Sequence, residues 1–360
     1  MEKIWASQKV RHSSNSIRMS KLVAVIGAGP AGLECASALA KRGIRVKLFD
    51  RDDNTGGHLQ NWNELFPDRR KSTDVLQLLR TNSDKLIEVK SGTTVKRVEK
   101  SNNSFQIHTE TNILPNVDAV VIATGFDLFD ARRKEEYGYG IYDNVITSAD
   151  LEKMFSLPGS IRTIDGRVPK RVGFVHCVGS RDEKVGNLHC SKVCCVTAVK
   201  QAIEIREQLP DTEAFCFYMD LRMYGRHFEE LYKEAQEKWN VNFIRGRLSE
   251  AAENQDGSII VKVEDTLTGR PLKMNVDILV LMSGILPAFY TPDIVSEIPV
   301  VFGDDGFLKS TDEHFRANLS GTPGIFYAGT CTGPKSIAET LADARSASLA
   351  VANFLDEISN

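Results

Sequence analysis

The sequence predicts an α/β protein built from two Rossmann-like nucleotide-binding units. Three observations predict it. A short apolar run, Leu22-Val-Ala-Val-Ile26, leads straight into Gly27-Ala-Gly29-Pro30-Ala31-Gly32. Strand and helix signals alternate a second time between about residues 150 and 300. The 360 residues, at roughly 150 per domain, allow about two domains. With 42% hydrophobic and 26% charged residues, the chain can form cores, which excludes disordered, collagen-like and coiled-coil classes. A formal net charge of −3 offers no basic face, so no nucleic acid partner is expected. No uncharged apolar run approaches the roughly 18 residues of a membrane span.

Residues 1–18 stand apart from the fold. Lys3, Lys9, Arg11 and Arg18 face the single acid Glu2, and no apolar core of a secretory signal is present. We read this segment as a leader or tag, with Met19-Ser20-Lys21 resembling a fresh N-terminus before the first strand. Without a secretory signal the expected location is cytoplasmic and reducing, so the seven cysteines are expected as ligands or buried thiols rather than disulfides.

Leu22–Ile26 is apolar throughout, as a strand covered on both faces of a parallel sheet must be. Ala31 to Lys41 then carries apolar residues at helical spacing, Gly43 stops the helix, and Arg45 to Asp50 reads as the next strand. In such a turn Gly27 permits the tight bend, Gly29 lets backbone approach a pyrophosphate, and Gly32 lets helix and strand pack closely. The helix amides meet the phosphate charge. Asp50, 18 residues after Gly32, is placed to accept from a ribose hydroxyl, with Arg51 beside it.

Three later segments decide between nucleotides: Gly56-Gly57-His58, Val120-Val-Ile-Ala123-Thr124-Gly125 and Gly324-Ile-Phe-Tyr-Ala-Gly329. Together they resemble the FAD landmarks of the thioredoxin reductase and glutathione reductase superfamily, over nearly the whole chain. The resemblance implies that the Gly57-His58 segment passes the pyrophosphate, that Val95 offers backbone to the adenine, and that Ala123-Thr124-Gly125 crosses near the cofactor. It also implies that the helix starting near Ser336 and Ile337 aims its positive end at the flavin. Thr330 stands where the superfamily usually has an acid after the returning Ala-Gly329, and its hydroxyl could serve a ribityl or phosphate oxygen.

The second unit reads as strands at Arg171 to His176, Glu213 to Tyr218, Val241 to Ile244, Ser258 to Glu264 and Val276 to Met282. Helices are expected at Ser191 to Gln208 and His227 to Trp239. Ser283-Gly-Ile-Leu-Pro287 resembles the superfamily's second crossover. A pyridine-nucleotide reductase would carry a second glycine fingerprint after Val172-Gly-Phe-Val-His176, but Cys177-Val-Gly-Ser-Arg-Asp182 follows instead. No phosphate cradle is readable there.

Four cysteines take its place: Cys177, then Cys190, then Cys194 and Cys195. If Cys190 lies on the following helix, it sits one turn from Cys194 on the same face, with Cys195 rotated by about 100° to close the cage. Thiolates at a helix N-terminus suit a [4Fe-4S] cluster, whose negative charge the amides soften. Zinc with His176 and His189 as spare donors, or a thiol pair such as Cys190 with Cys194 attacking a disulfide, fits the same residues. Cys35 and Cys216 read as core thiols. Cys331 beside the flavin edge reads either as small-residue packing or as a redox or ligand position. Arg222 to His227 is a basic, aromatic stretch that suits a docking edge or a solvated loop.

The cysteine segments narrow the resemblance. Cys177-Val-Gly-Ser-Arg-Asp-Glu183, His189-Cys-Ser-Lys-Val-Cys-Cys195 and Ala328-Gly-Thr-Cys-Thr-Gly-Pro-Lys-Ser-Ile337 closely resemble the heterodisulfide reductase A-type family. That family implies an FAD and iron–sulfur electron-transfer subunit, commonly a homodimer, working with other heterodisulfide reductase-like subunits. Its cluster ligands fall on Cys177, Cys190, Cys194 and Cys195, and its flavin-side lysine on Lys335. The chain has no ferredoxin-type CxxCxxCxxxCP run, and it is similar to the compact form of sulfur-oxidising bacteria. The expected domains are 19–150 with 300–360 for FAD, and 151–299 for a second Rossmann-like domain housing the cluster. An NAD(P)H-dependent disulfide reductase and a zinc-stapled flavin scaffold remain the alternatives.

Overall fold

The computed structural model describes residues 21–81, 84–157 and 159–359, and the leader assigned to residues 1–18 lies outside them. The chain forms two compact units. The first comprises the described residues within 1–60, 74–127 and 287–360, the second those within 61–73 and 128–286.

The first unit is built on a five-stranded parallel sheet in the order Ile325–Tyr327, Ala119–Ile122, Leu22–Ile26, Arg45–Phe49, Ile87–Lys90. Val23, Ala24, Val25 and Val120 to Ile122 are wholly buried, as strands covered on both faces require. The helices Pro30–Ala40 and Ile337–Glu357 pack on each other, and both carry small buried residues, Ala36 and Ala40 on one and Ala344 and Ala347 on the other. A three-stranded antiparallel sheet, Val95–Ser101, Ser104–Thr109 and Ile113–Val117, completes this unit.

The second unit repeats the plan. Its parallel sheet runs Val145–Thr147, Ile278–Ser283, Arg171–Val178, Glu213–Tyr218, Asn242–Arg245, and Leu248–Glu253, Ile259–Asp265 and Arg270–Val276 form its antiparallel sheet. The boundaries fall at 127/128 and 286/287, rather than near 150 and 300, because Val145–Thr147 joins this sheet as an edge strand beside Ile278–Ser283.

Residues 61–73 also belong to the second unit. Glu152 accepts the Asn63 amide at 2.9 Å, and Glu204 accepts from the Asn63 side chain at 2.7 Å. Both carboxylates pair with Lys200, which is 1% exposed, at 2.5 and 2.8 Å. The ammonium also donates to the Glu64 carbonyl. A buried ammonium needs such compensation, and here the segment itself supplies part of it.

Candidate functional sites in the two units

The first site grows from the turn after Leu22–Ile26. Gly27 has φ +106°, and a Cβ there would stand 2.3 Å from the Ala123 carbonyl oxygen. A Cβ on Gly32 would stand 1.8 Å from the Gly27 oxygen, so only glycine permits this approach. A Cβ on Gly29 would meet nothing within 4 Å. Gly29 caps the helix with no side-chain hydrogen bond, Pro30 occupies the first helical position, and Ala31 is buried behind it. The opening amides of this helix thus have no side-chain cap of their own.

Asp50 ends the second strand and is nearly buried. Its Oδ2 accepts from the Ala28 amide at 2.6 Å and its Oδ1 from the Asp52 amide at 2.9 Å. Burial raises its pKa, while these two amides pull the other way. The Arg51 guanidinium lies 4.2 Å from the Tyr290 ring centroid and 3.9 Å from the Asp127 carboxylate. Gly57 opens a short 3-10 helix, and its Cβ would reach within 3.2 Å of Gly29 Cα, so this segment lies against the turn. His58 stacks on Phe126 at 4.4 Å, and its Nε2 is 2.9 Å from the Phe126 carbonyl oxygen. The Val95 side chain goes into the core, which leaves only its backbone for a ligand.

Ala123-Thr124-Gly125 is fixed from both sides. The Ala123 amide donates to Ile26, the Tyr290 hydroxyl donates to the Thr124 carbonyl at 2.9 Å, and the Thr124 and Thr291 hydroxyls are 2.7 Å apart. A Cβ on Gly125 would stand 3.8 Å from Thr330 Oγ1. Asp343 accepts the Gly329 amide at 2.6 Å. Lys335 donates to the Gly329 carbonyl at 2.9 Å and to the Thr332 hydroxyl at 2.6 Å, which folds its ammonium back over the turn. Ser336 caps the helix that Ile337 begins, in a reciprocal capping box with Glu339.

Sequence spacing missed Tyr290, Thr291 and Asp343. Each acts across a large separation, so no local pattern marks it. Cys331 is buried, its thiol donates to the Ile122 and Ala328 carbonyls, and burial pushes its pKa up to about 12, which favours the packing reading.

The second site lies at the end of Arg171–Val178. The strand's register breaks between Val175 and Val178, and Cys177 adopts φ +59° at the break. Such a bulge re-aims one side chain, and here Cys177 Sγ stands 4.0 Å from Cys194 Sγ. Cys194 is the first residue of the helix Cys194–Gln208, whose N-terminus has no side-chain cap. Cys195 follows it, its Sγ 3.5 Å from the Asp220 carbonyl oxygen.

The helix does not include Cys190, contrary to the one-turn spacing expected with Cys194. Lys192 has φ +62°, which no helix accepts, and the Ser191 hydroxyl bonds Ser180 Oγ at 2.9 Å and accepts from the Ile285 amide at 2.8 Å. Cys190 therefore rides on the loop, half-buried, with its sulfur accepting the Lys192 amide. His189 is not a spare ligand on its loop, because its Nε2 lies 2.8 Å from the Ile285 carbonyl oxygen.

All four cysteines are free thiols. The bonds from Cys177 and Cys195 push the Cys194 thiol well up, and it keeps its proton. The Cys194 hydrogen bond holds Cys177 down to about 7 against burial. Cys195 comes down to about 4, through Cys194 first and His176 after it. His176 is more than nine-tenths buried and neither ring nitrogen has a hydrogen-bond partner. Burial disfavours its charge, but the Cys195 and Cys216 sulfurs outweigh it and push its pKa up to about 10.

Among the described residues no three His, Cys, Asp or Glu side chains converge on one ion. The 4.0 Å between Cys177 and Cys194 Sγ would also suit two ligands of one zinc, whose sulfurs stand about 2.3 Å from the metal. A four-iron core instead holds its thiolates at separate corners. All-sulfur donors, an uncapped helix N-terminus and a low-lying Cys195 pKa fit such a core.

Comparison with known proteins places these geometries. Residues 25–85 match the model of an NAD(P)-binding Rossmann-like domain. The A-type component of a heterodisulfide, ferredoxin reductase from Methanothermobacter thermautotrophicus is 42% identical over 64% of this chain and 36% of its own length. Its counterpart in Methanococcus maripaludis is 30% identical over 93% of this chain and 64% of its own. The chain spans about a third of the first curated relatives' length. Among solved structures, the thioredoxin reductases of T. acidophilum and Lactococcus lactis superpose with TM-scores of 0.65 at 17% and 20% identity. They cover 93% and 94% of this chain, and 98% and 99% of theirs. No helix among the described residues is long and apolar enough to cross a membrane. The chain is a homologue of the A-type components of heterodisulfide reductase, carried on a thioredoxin reductase-like fold.

Proposed function

We propose that this chain is an electron-transfer subunit that holds FAD in the first unit and a [4Fe-4S] cluster in the second, and that it works with other heterodisulfide reductase-like subunits. The observation that carries this is the contrast between two equivalent strand ends. The first unit's central strand ends in a glycine turn whose Gly29 leaves open space, and the second unit's ends in Cys177, 4.0 Å from Cys194. A Rossmann unit with no glycine turn has lost its pyrophosphate cradle. One that presents thiols at a helix N-terminus has gained a site for a negatively charged metal core.

When bound, the flavin exchanges two electrons or one and the cluster one at a time, so the pair converts between the two regimes. The chain's own residues do the rest. The amides after Gly29 would meet the pyrophosphate, Asp50, held by the Ala28 amide, would accept from the ribose, and Arg51, held over Tyr290, would close the adenosine end. Thr330 and Lys335 line the turn beside the flavin, and the helix from Ile337 offers its positive end. Cys177, Cys190, Cys194 and Cys195 would hold the iron. Cytoplasmic sulfur oxidation, carried out by a homodimer of this chain with its partners, is the setting we assign, on the resemblance to the compact form of sulfur-oxidising bacteria.

A second reading has one observation in its favour: Cys177 and Cys194 are close enough to form a dithiol pair with little movement. Anaerobic quantification separates the two. The cluster reading expects about four irons and one flavin per chain, broad absorbance near 400 nm on the order of a [4Fe-4S] centre, and loss of iron in Cys194→Ala. Flavin-loaded protein without iron overturns it, zinc in its place favours the scaffold, and bleaching of the flavin by NADPH favours a self-sufficient disulfide reductase.

A further inference from the structure

His176 is the one imidazole of the second site that no contact explains. It sits on Arg171–Val178, two residues after Phe174, which shares a buried cluster with Cys194, Cys195 and Val199 of the following helix. The ring is 7% exposed. Neither Nδ1 nor Nε2 has a hydrogen-bond partner. Its neighbours are the sulfurs of Cys195 and Cys216 and, at 6.3 Å between centroids, the Tyr218 ring. A buried polar group without a partner is rare in folded proteins, and such groups concentrate where a further component belongs.

Of the two sulfurs, Cys216 lies inside Glu213–Tyr218, wholly buried in the core, and is no part of the ligand set. Cys195 belongs to that set. A thiol is a weak acceptor, whereas a metal-bound thiolate is a strong one. The ring therefore gains its partner when the site is filled.

We infer that His176 is a positioning residue of the iron–sulfur site, donating an N–H to the Cys195 sulfur and thereby raising the cluster's reduction potential. This rests on the cluster reading above. Hydrogen bonds to a ligating sulfur withdraw charge from it and favour the reduced, more negative core. The ring does not bind iron, because four thiolates already complete the set.

The test compares wild type with His176→Leu, which removes both nitrogens, and His176→Asn, which keeps an N–H donor. Iron and acid-labile sulfide are counted on anaerobically purified protein, and the cluster is titrated by electron paramagnetic resonance. The expected result is full iron in all three, a midpoint shifted negative in His176→Leu, and a midpoint in His176→Asn nearer to wild type. A merely structural side chain would change stability without this ordering of potentials. An unchanged midpoint in His176→Leu overturns the inference. So does loss of iron from both variants while wild type keeps it, which would make the ring a ligand or a structural support. Wild type without iron overturns the cluster reading itself, so the two failures are told apart.

Discussion

Gly29 and Gly32 stand on the same turn, and their substitutions are expected to fail differently. Gly32→Ala drives a Cβ to within 1.8 Å of the Gly27 oxygen, so helix and strand must separate, and both melting temperature and flavin content fall. Gly29→Ala meets nothing within 4 Å, so the melting temperature stays near wild type while flavin content falls at least several-fold, the methyl group standing where a pyrophosphate must approach backbone. Flavin-to-protein absorbance and thermal melts read both quantities. Cys331→Ala is the control: a buried thiol with its pKa pushed up to about 12 is inert, so flavin and iron contents are expected unchanged and Cys331 unlabelled by alkylating reagent at neutral pH. At this scale the glycine turn was legible because Gly27 and Gly32 answer local steric demands. Tyr290 over Arg51 and Asp343 under Gly329 were not, since nothing in their neighbouring residues announces the contact.

The helix Cys194–Gln208 carries the cysteines at one end and a buried ion cluster further along. Lys200→Met would leave Glu152 and Glu204 buried without their cation, an expected loss of about 3–5 kcal/mol in denaturant unfolding. Glu204 also gives the helix a pH dependence. Burial raises its pKa from the ordinary 4.5 to about 7, against the pull of Lys200. The folded state therefore holds a proton that the unfolded chain has released, and stability falls as pH rises from about 4.5 towards 7. Glu204→Gln, which keeps an acceptor for Asn63, is expected to flatten that slope across this pH range. The sequence made this helix readable by its apolar spacing but not its beginning. The expected start at Ser191 fails because that hydroxyl is committed to Ser180 and Ile285, a matter of tertiary hydrogen bonds rather than propensity.

On the scale of the molecule, the two units share one sheet plan and one antiparallel appendage, yet the ligand sets proposed for them share no residue. Removing iron with chelator and mild oxidant is accordingly expected to leave the flavin bound, read as loss of broad absorbance with the flavin bands retained. Anaerobic NADPH is expected to leave the flavin oxidised, because the second unit's strand ends in a cysteine bulge rather than a phosphate-binding turn. The doubled α/β plan was legible from the alternation of strands and helices. The excursion of residues 61–73 was not, because Asn63 and Glu64 reach their partners Glu152, Lys200 and Glu204 only through the folded second unit.

The left-handed turn at Lys192 bears on how such a centre would meet oxidants. Cys177, Cys194 and Cys195 are anchored by ladder and helix, whereas Cys190 hangs from a short strap of irregular backbone. If the four thiols hold a metal core, Cys190 is its least buried ligand, and oxidants would reach it before Cys177, Cys194 and Cys195.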